Sequence, residues 1–215
     1  MDDVQRSKEV PCKRPYELGL RLELSGQKRE AILNSARAQL ESGGLLHLTM
    51  DGLAQKTGVT RQTVHNLFGT KAGLLEALFD QLALDGGMEK MREVMQQPSP
   101  DLMLAGFVDV FIGFWRKNRL LFRRIHGIAA IDPEFGAALQ ARNKRRHMAA
   151  TRIVGLFGSP DGKRRERETE MRAAELCALT SFEFFDALVE SCGNESDAAK
   201  SVLDLAKLAV GGSSR

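Results

Sequence analysis

The sequence predicts an all-α protein. Patterns that alternate apolar and polar residues, as strands do, are nearly absent, and β-branched residues are scattered. Apolar residues instead recur at helical spacing along most of the chain, which places them on one face of successive helices. We therefore expect amphipathic helices joined by turns at the Gly, Pro and Ser clusters.

The composition is that of an ordinary globular protein, with 215 residues, 43% hydrophobic and 27% charged. The most apolar segment, Leu102 to Trp115, contains Asp109 and is too short for a membrane span, and the N-terminus lacks the apolar region of a secretory signal. We therefore expect a cytoplasmic protein with no membrane partner. The three cysteines, Cys12, Cys177 and Cys192, are odd in number and show no C-x-x-C spacing, which predicts free thiols and no metal site. We also expect no cofactor.

A first helix is predicted over Gln27 to Ser42, where apolar positions recur four residues apart at Ile32, Ala36 and Leu40. Gly43 and Gly44 are expected to end it. Residues 1–24 show no comparable stripe and are predicted to form a flexible arm.

Two short helices should follow, from Met50 to Thr57 and from Thr60 to Phe68, with a left-handed turn at Gly58. A longer helix should then run toward Gln97 and end at Pro98-Ser99-Pro100. Each helix is preceded by a threonine whose hydroxyl can accept from a backbone N–H near the helix start, and the predicted caps are Thr49, Thr60 and Thr70.

The C-terminal half carries more apolar helices. Two apolar stripes between Met103 and Trp115 predict a central helix, and the polar segment Arg116 to Asn118 separates it from the next. Further expectations concern boundaries: a helix capped by Asp132, a turn at Gly158 to Gly162, a solvated helix start at Lys163 to Glu170, a long helix up to Ser191, and a last helix capped by Ser196.

The first three helices have the spacing of a helix-turn-helix, in which the last helix can lie in the major groove of DNA. Val64, Leu67 and Phe68 would face inward on that helix. Arginine can donate twice to guanine and glutamine can pair with adenine, so Arg61 and Gln62 suit direct reading of bases. The expected DNA-binding residues are those that face outward on the helix, together with its cap and two flanking residues suited to phosphates: Thr49, Thr60, Arg61, Gln62, Thr63, His65, Asn66 and Lys71.

The segment from Arg29 to Leu75 resembles, without gaps, the N-terminal signature of the TetR-type (TetR/AcrR) bacterial transcriptional regulators. The resemblance covers roughly a quarter of the chain. It departs from the family at His65, where Tyr is usual, and at Leu67, where His or another aromatic residue is usual. The matching positions are Ile32-Leu33, Ala36, Leu40, Gly44, Thr49, Leu53-Ala54, Gly58-Val59-Thr60, Thr63-Val64, Phe68, Lys71 and Leu74-Leu75.

The resemblance implies a homodimer of the bacterial cytoplasm that leaves a palindromic operator when a small effector binds. It places Gln62 and Thr63 near bases, and Lys71 and His65 near phosphates. It divides the chain into the arm at 1–24, a helix-turn-helix DNA-binding domain at 25–70, a connecting helix at 71–97, and a C-terminal effector-binding and dimerisation domain at 98–215.

The resemblance implies an effector pocket in the C-terminal half, where the aromatic residues suggest an apolar or flat effector. Plain core packing is the competing interpretation for the aromatic residues, and a hydrogen-bonded or surface position for the histidines. The basic runs Arg116 to Arg124 and Arg142 to Arg146 could attract an anionic effector or DNA, although solvated helix faces are the favoured interpretation. The pocket candidates are Phe107, Phe111, Phe114, Trp115, His126, Phe135, Asn143, His147 and Phe185.

The two terminal helices are apolar on two faces, which suggests that one face of each packs against a second copy. The interface candidates are Cys177, Thr180, Phe184, Leu188, Val202 and Leu205. Two alternatives stay open, a constitutive DNA-binding regulator without an effector and a small helical enzyme. The chain lacks G-x-S-x-G, H-E-x-x-H and phosphate-loop motifs, so we name no catalytic residue.

Overall fold

The computed structural model describes residues 15–42, 48–157 and 162–211. These residues form helices and no strand, which confirms the all-α prediction. A 3₁₀ helix at Met88–Lys90 lies between α4 and α5. The α-helices are α1 (Pro15–Glu41), α2 (Met50–Thr57), α3 (Arg61–Phe68), α4 (Lys71–Asp85), α5 (Met91–Val94), α6 (Pro100–Ala129), α7 (Pro133–Leu156), α8 (Gly162–Leu179), α9 (Phe182–Cys192) and α10 (Glu195–Gly211).

Helix α1 begins earlier than its apolar stripe predicted. It starts at Pro15, so the predicted flexible arm is wrong for residues 15–24, which are helical. The extra turns are exposed at Leu22 and Leu24, and an exposed helix shows no buried stripe for a periodicity argument to detect. Residues 1–14 of the predicted arm and the glycines Gly43 and Gly44 lie outside the described residues.

The predicted caps of the three following helices are confirmed. The hydroxyl of Thr49 accepts from the N–H of Gly52, that of Thr60 from Thr63, and that of Thr70 from Gly73. Gly58 ends α2 in the left-handed conformation, with φ of 68°. Local hydrogen bonds therefore fix the start of each helix in the N-terminal region.

The predicted helix toward Gln97 is interrupted. Helix α4 ends at Asp85, and Gly87 turns the chain with φ of 79° into the 3₁₀ helix. A Cβ at Gly86 would overlap the ring of Phe114 on α6, so the break allows a close approach between α4 and α6. The segment 71–97, which was predicted to be one connecting helix, thus contains α4, a glycine turn, the 3₁₀ helix and the short helix α5.

Helix α6 bends where the polar interruption was predicted. Asn118 leaves the helical region, with φ of −118°, and its side-chain N–H donates to the carbonyl of Phe114 at 3.0 Å. Helix α7 begins as predicted, because a side-chain oxygen of Asp132 accepts from the N–H groups of Glu134 and Phe135.

The long helix predicted up to Ser191 is two helices. Helix α8 ends at Leu179, and the hydroxyl of Ser181 caps α9 by accepting from the N–H of Phe184. Helix α10 begins one residue before Ser196, and Asn194 accepts from the N–H of Asp197 instead of the predicted Ser196 cap. The described part of the predicted solvated start, in α8, is exposed at Glu166, Arg167, Glu168 and Glu170. Of the turn predicted at Gly158 to Gly162, the first four positions lie outside the described residues.

One continuous apolar core joins the N-terminal and C-terminal helices. Helix α1 contacts α6, and α4 contacts α7, so the helix-turn-helix region packs on the rest of the chain. No helix within the described ranges is long and apolar enough to cross a bilayer. Helix α4 contacts both α3 and α7, so it connects the helix-turn-helix to the helices that enclose a cavity.

Candidate DNA interface and ligand cavity

Helix α3 presents a polar face to solvent. Val64 and Phe68 are buried against the neighbouring helices, and Leu67 is half-buried. The opposite face is exposed at Arg61, Gln62, His65 and Asn66, as the sequence predicted for a helix with one inward stripe. An exposed polar helix next to a capped turn has the shape that enters a major groove.

The polar groups of this face make exchangeable interactions. The side-chain N–H of Gln62 donates to Asn66 at 2.8 Å, and Arg61 lies 3.1 Å from Asp51 with both side chains largely exposed. Exposed pairs of this kind contribute little to stability, so a base edge can replace them. Thr63 differs, because it is half-buried and its hydroxyl lies 2.9 Å from that of Thr60.

The two flanking residues predicted to contact phosphates are engaged within the chain. Thr49 is exposed and accepts from the N–H of Gly52 at 3.0 Å. Lys71 is an ion-pair partner of Asp132, lies 3.9 Å from Glu134, and sits above the ring of Phe135. The hydrogen bond from Lys71 lowers the pKa of Asp132, so the pair stabilises the fold above the ordinary carboxyl pKa and loses that contribution as the pH falls through the lowered value.

A second group of ion pairs joins α4 to α7. Arg142 on α7 donates to the carboxylate of Glu76 at 2.7 Å and lies 2.8 Å from Asp80, both on α4. Its guanidinium also lies over the ring of Phe79. Helix α4 is therefore held to α7 at its first residue, through Lys71, and again near its middle.

A cavity of about 210 Å³ lies between α4, α6 and α7 and the segment that contains Met88 and Met91. Of the predicted pocket residues it is lined by Phe111, Phe114, Trp115 and Asn143. Sequence reasoning missed the remaining lining residues, which are Phe79, Ala83, Met88, Met91, Phe122, Leu139, Arg142, Arg145, Arg146 and Ala149.

The other predicted pocket residues lie elsewhere. Phe107 and Phe185 are fully buried in the core, and Phe135 is buried beneath Lys71. His147 lines a shallow surface groove. His126 lies 2.8 Å from Glu183, and this hydrogen bond lowers the pKa of Glu183 to about 2. None of these five lines the cavity, because each packs into a different part of the helix bundle.

The cavity also contains two arginines that periodicity could have indicated. Leu139, Arg142, Arg146 and Ala149 recur three or four residues apart on α7 and share the face that meets the cavity. The solvated-face interpretation of Arg142 to Arg146 is therefore wrong for Arg142 and Arg146, which are partly buried. Their long side chains cover apolar surface, as in the contact of Arg146 with the Phe111 ring at 5.7 Å.

The other basic run is occupied by partners within the chain. Arg119 contacts Asp186 at 2.6 Å and Glu190 at 2.5 Å on α9, and Arg116 lies 3.2 Å from Glu195. Arg124 donates to the carbonyl of Leu40 at 3.1 Å, near the end of α1. These contacts bind α6 to its neighbours and leave this run poorly suited to DNA.

The interface candidates divide by exposure. Thr180 and Val202 are fully buried within the chain, so the prediction is wrong for these two, whose side chains a second copy cannot reach. Thr180 lies between α8 and α9, and its carbonyl accepts a hydrogen bond from Trp115 on α6. Cys177, Phe184 and Leu188 are half-buried, and Leu205 is exposed.

Comparisons with known proteins agree with this geometry. Residues 32–78 match the family described as "Bacterial regulatory proteins, tetR family". No curated protein matches the chain significantly. Among solved structures, the chain is similar to a TetR transcription regulator from Haloarcula marismortui ATCC 43049, with a TM-score of 0.61 at 16% identity over 86% of this chain and 97% of that one. It is also similar to a TetR-like transcriptional regulator from Rhodococcus sp. RHA1, with a TM-score of 0.58 at 19% identity over 86% and 96% of the two chains.

The two kinds of match carry different conclusions. At these identities the structural matches show a shared fold over most of the chain, whereas the family match covers α2, α3 and parts of α1 and α4. That segment contains the capped turn and the exposed polar face of α3. The chain therefore carries a TetR-type helix-turn-helix DNA-binding region and has the fold of TetR-type transcriptional regulators over most of its length.

Proposed function

We propose that the protein is a homodimeric repressor that releases a palindromic operator when a small ligand occupies the cavity. The observation that carries this proposal is the course of α4. It begins at Lys71, directly after the turn that ends α3, and its residues Phe79 and Ala83 form part of the cavity wall. A ligand that displaces α4 would therefore also displace the helix that reads DNA.

The residues of the proposed DNA contact follow from exposure. Arg61, Gln62 and Asn66 are assigned to base edges, and the first turns of α2 and α3, with Thr49, Thr60 and His65, to phosphates. Thr63 supports the start of α3 and lies near the bases. We retain 25–70 as the DNA-binding domain and 98–215 as the effector and dimerisation domain.

Two ion-pair groups would transmit the movement. Lys71 with Asp132, and Arg142 with Glu76 and Asp80, both join α4 to α7. A ligand that alters the position of Arg142 changes the balance between arrangements of α4, and its effect equals its difference in affinity for them.

A second copy is proposed to pack on the outer faces of α8 and α10. These helices contact each other through buried residues that include Ala173, Leu176 and Val202, while Met171, Leu205 and Leu208 are exposed. Exposed apolar side chains on two adjacent helices indicate an interaction surface. Twofold symmetry would then require two half-sites in the operator.

Selection of binding sites from random duplex DNA, at about 150 mM salt, tests the proposal as a whole. An enriched palindrome is expected. A protein that is a monomer, or one that binds all sequences equally, would contradict the proposal.

Replacing Gln62 by Ala is expected to relax base preference at one position of each half-site. A good bidentate contact to a base discriminates by about 1 to 3 kcal/mol, and the hydrogen bond to Asn66 that the variant also loses is exposed. Binding to the selected operator and its single-base variants measures the change. Gln140→Ala, an exposed substitution on α7, is the control, and unchanged specificity in Gln62→Ala would mean that α3 lies differently on DNA.

Replacing Asp132 by Asn is expected to strengthen binding to all DNA sequences. Asn caps a helix as well as Asp does, so α7 keeps its start, while Lys71 loses its charged partner and becomes available to a phosphate. The slope of log affinity against log salt should steepen by about 1. Glu134→Gln is the control, since Glu134 lies 3.9 Å from Lys71, and an unchanged slope in Asp132→Asn would remove Lys71 from the DNA contact.

A further inference from the structure

The cavity wall contains an arginine, Arg146, that forms no ion pair with the described residues. The guanidinium of Arg146 donates to the carbonyl of Thr180 at 3.1 Å, lies over the Phe111 ring and lies beside the thiol of Cys177. Its Nε is buried and has no hydrogen-bond partner among the described residues. These three neighbours are formally neutral, and the carboxylate of Glu183 attracts the guanidinium without forming an ion pair with it.

Among the described residues, no carboxylate forms an ion pair with Arg146. Burial raises the pKa of the Cys177 thiol, so it stays protonated at neutral pH. Glu183 is hydrogen-bonded to His126, and the carboxylates of Glu76 and Asp80 are paired with Arg142. Burial also lowers the pKa of the Arg146 guanidinium, although arginine remains charged in proteins. A largely buried cation without an ion-pair partner is costly, and an anion in the cavity would offset that cost.

The rest of the cavity is apolar and small. Its aromatic walls include Phe79, Phe114, Trp115 and Phe122, and the two methionines adapt to the shape of an apolar group. Its volume of about 210 Å³ is below the range of roughly 300 to 1,000 Å³ that is typical of sites for drug-sized ligands. The walls therefore suit one ring or a short alkyl chain.

We propose that the cavity binds a small monocarboxylate with an aryl or short alkyl body, whose carboxylate pairs with the guanidinium of Arg146. This inference rests on the proposed function, because it names the class of ligand that would act there. Aromatic walls hold the body, and the charge-assisted hydrogen bond selects the carboxylate over neutral compounds of the same shape.

Calorimetry and thermal denaturation of the purified protein test the inference. The probes are benzoate, phenylacetate and octanoate, each compared with its neutral amide at up to about 1 mM, where a ligand of similar Kd raises the Tm. At least one carboxylate is expected to bind, about tenfold or more tightly than its amide. Failure of all three carboxylates to bind, or equal binding of carboxylate and amide, would overturn the inference.

Two variants assign the preference to Arg146. Arg146→Gln should bring carboxylate and amide to similar affinity, and Arg146→Met provides a second test because an apolar side chain in place of a buried cation preserves folding. Arg152→Gln, an exposed arginine on the same helix, should keep the preference. A preference retained in folded Arg146→Gln or Arg146→Met would overturn the assignment.

Operator release, measured separately by adding each probe to the protein–DNA complex, separates this inference from the proposed function. Carboxylates that bind the cavity without releasing DNA would support the anion site and contradict the ligand-responsive repressor. Amides that release DNA as effectively as carboxylates would support the ligand-responsive repressor and contradict the anion site.

Discussion

Alanine at Gly73 is expected to lower both the stability of the protein and its affinity for the operator. Gly73 is in the first turn of α4, and a Cβ there would overlap the backbone carbonyl of Phe68, the last residue of α3. A backbone atom yields less than the end of a flexible side chain, so α3 and α4 must move apart. Overpacking of this kind costs about 1 to 3 kcal/mol.

The same displacement changes the angle at which α3 meets DNA. We therefore expect operator affinity measured on folded protein, well below the Tm of the variant, to fall by about tenfold or more, since 1.4 kcal/mol corresponds to tenfold in binding. Gly113→Ala is the matched control, because Gly113 is exposed within α6 and a Cβ there meets no neighbouring atom. The control should be unchanged or stabilised by about 0.5 to 1 kcal/mol. Wild-type stability and affinity in Gly73→Ala would show that α3 and α4 are not held as closely as the structure indicates.

The helix-turn-helix was predictable because its signals are local. A threonine cap depends on a hydroxyl and an N–H group three residues later, as between Thr60 and Thr63. The left-handed turn at Gly58 likewise depends on one residue type. Such contacts join residues that are close in sequence, so the sequence predicted the start of α3 and its polar face correctly.

The helix breaks in the C-terminal half depend on distant contacts. The apolar pattern continues through Thr180 and Ser181, so periodicity alone predicted one helix where the structure has α8 and α9. The carbonyl of Thr180 accepts from Trp115 and Arg146, which come from other helices. At Gly86 the deciding neighbour is Phe114, which lies on α6.

The cavity was only partly predictable for the same reason. Phe111 and Phe114 were identified from their aromatic character, but Phe107 has the same character and belongs to the core. The sequence predicted Arg146 to lie in a solvated run. Its contacts with Phe111 and Thr180, which partly bury it, join distant residues and cannot be read from sequence spacing. Charge within a cavity is a tertiary property.

Glutamate at both Leu205 and Leu208 is expected to convert the proposed dimer to a monomer. The two leucines are 38% and 74% exposed on α10, and the adjacent α8 exposes Met171. Their helices are already joined through an inner face, so the outer face is available to a second copy. Burying unpaired carboxylates in an apolar interface is strongly unfavourable, whereas in the monomer the same side chains remain in water.

Loss of the dimer should weaken operator binding by about 10² to 10⁴, because a dimer binds its second half-site as an intramolecular event. Sedimentation at micromolar concentration measures the association, and titration of full and half operators measures the affinity. The double variant should bind a full operator no better than a half operator. Leu120→Glu is the control, since Leu120 is 73% exposed and lies on α6 rather than on α8 or α10, and it should leave both measurements unchanged. A double variant that still sediments as a dimer would place the interface on another face. Such a dimer would keep both reading helices linked, so its affinity for the operator would not fall.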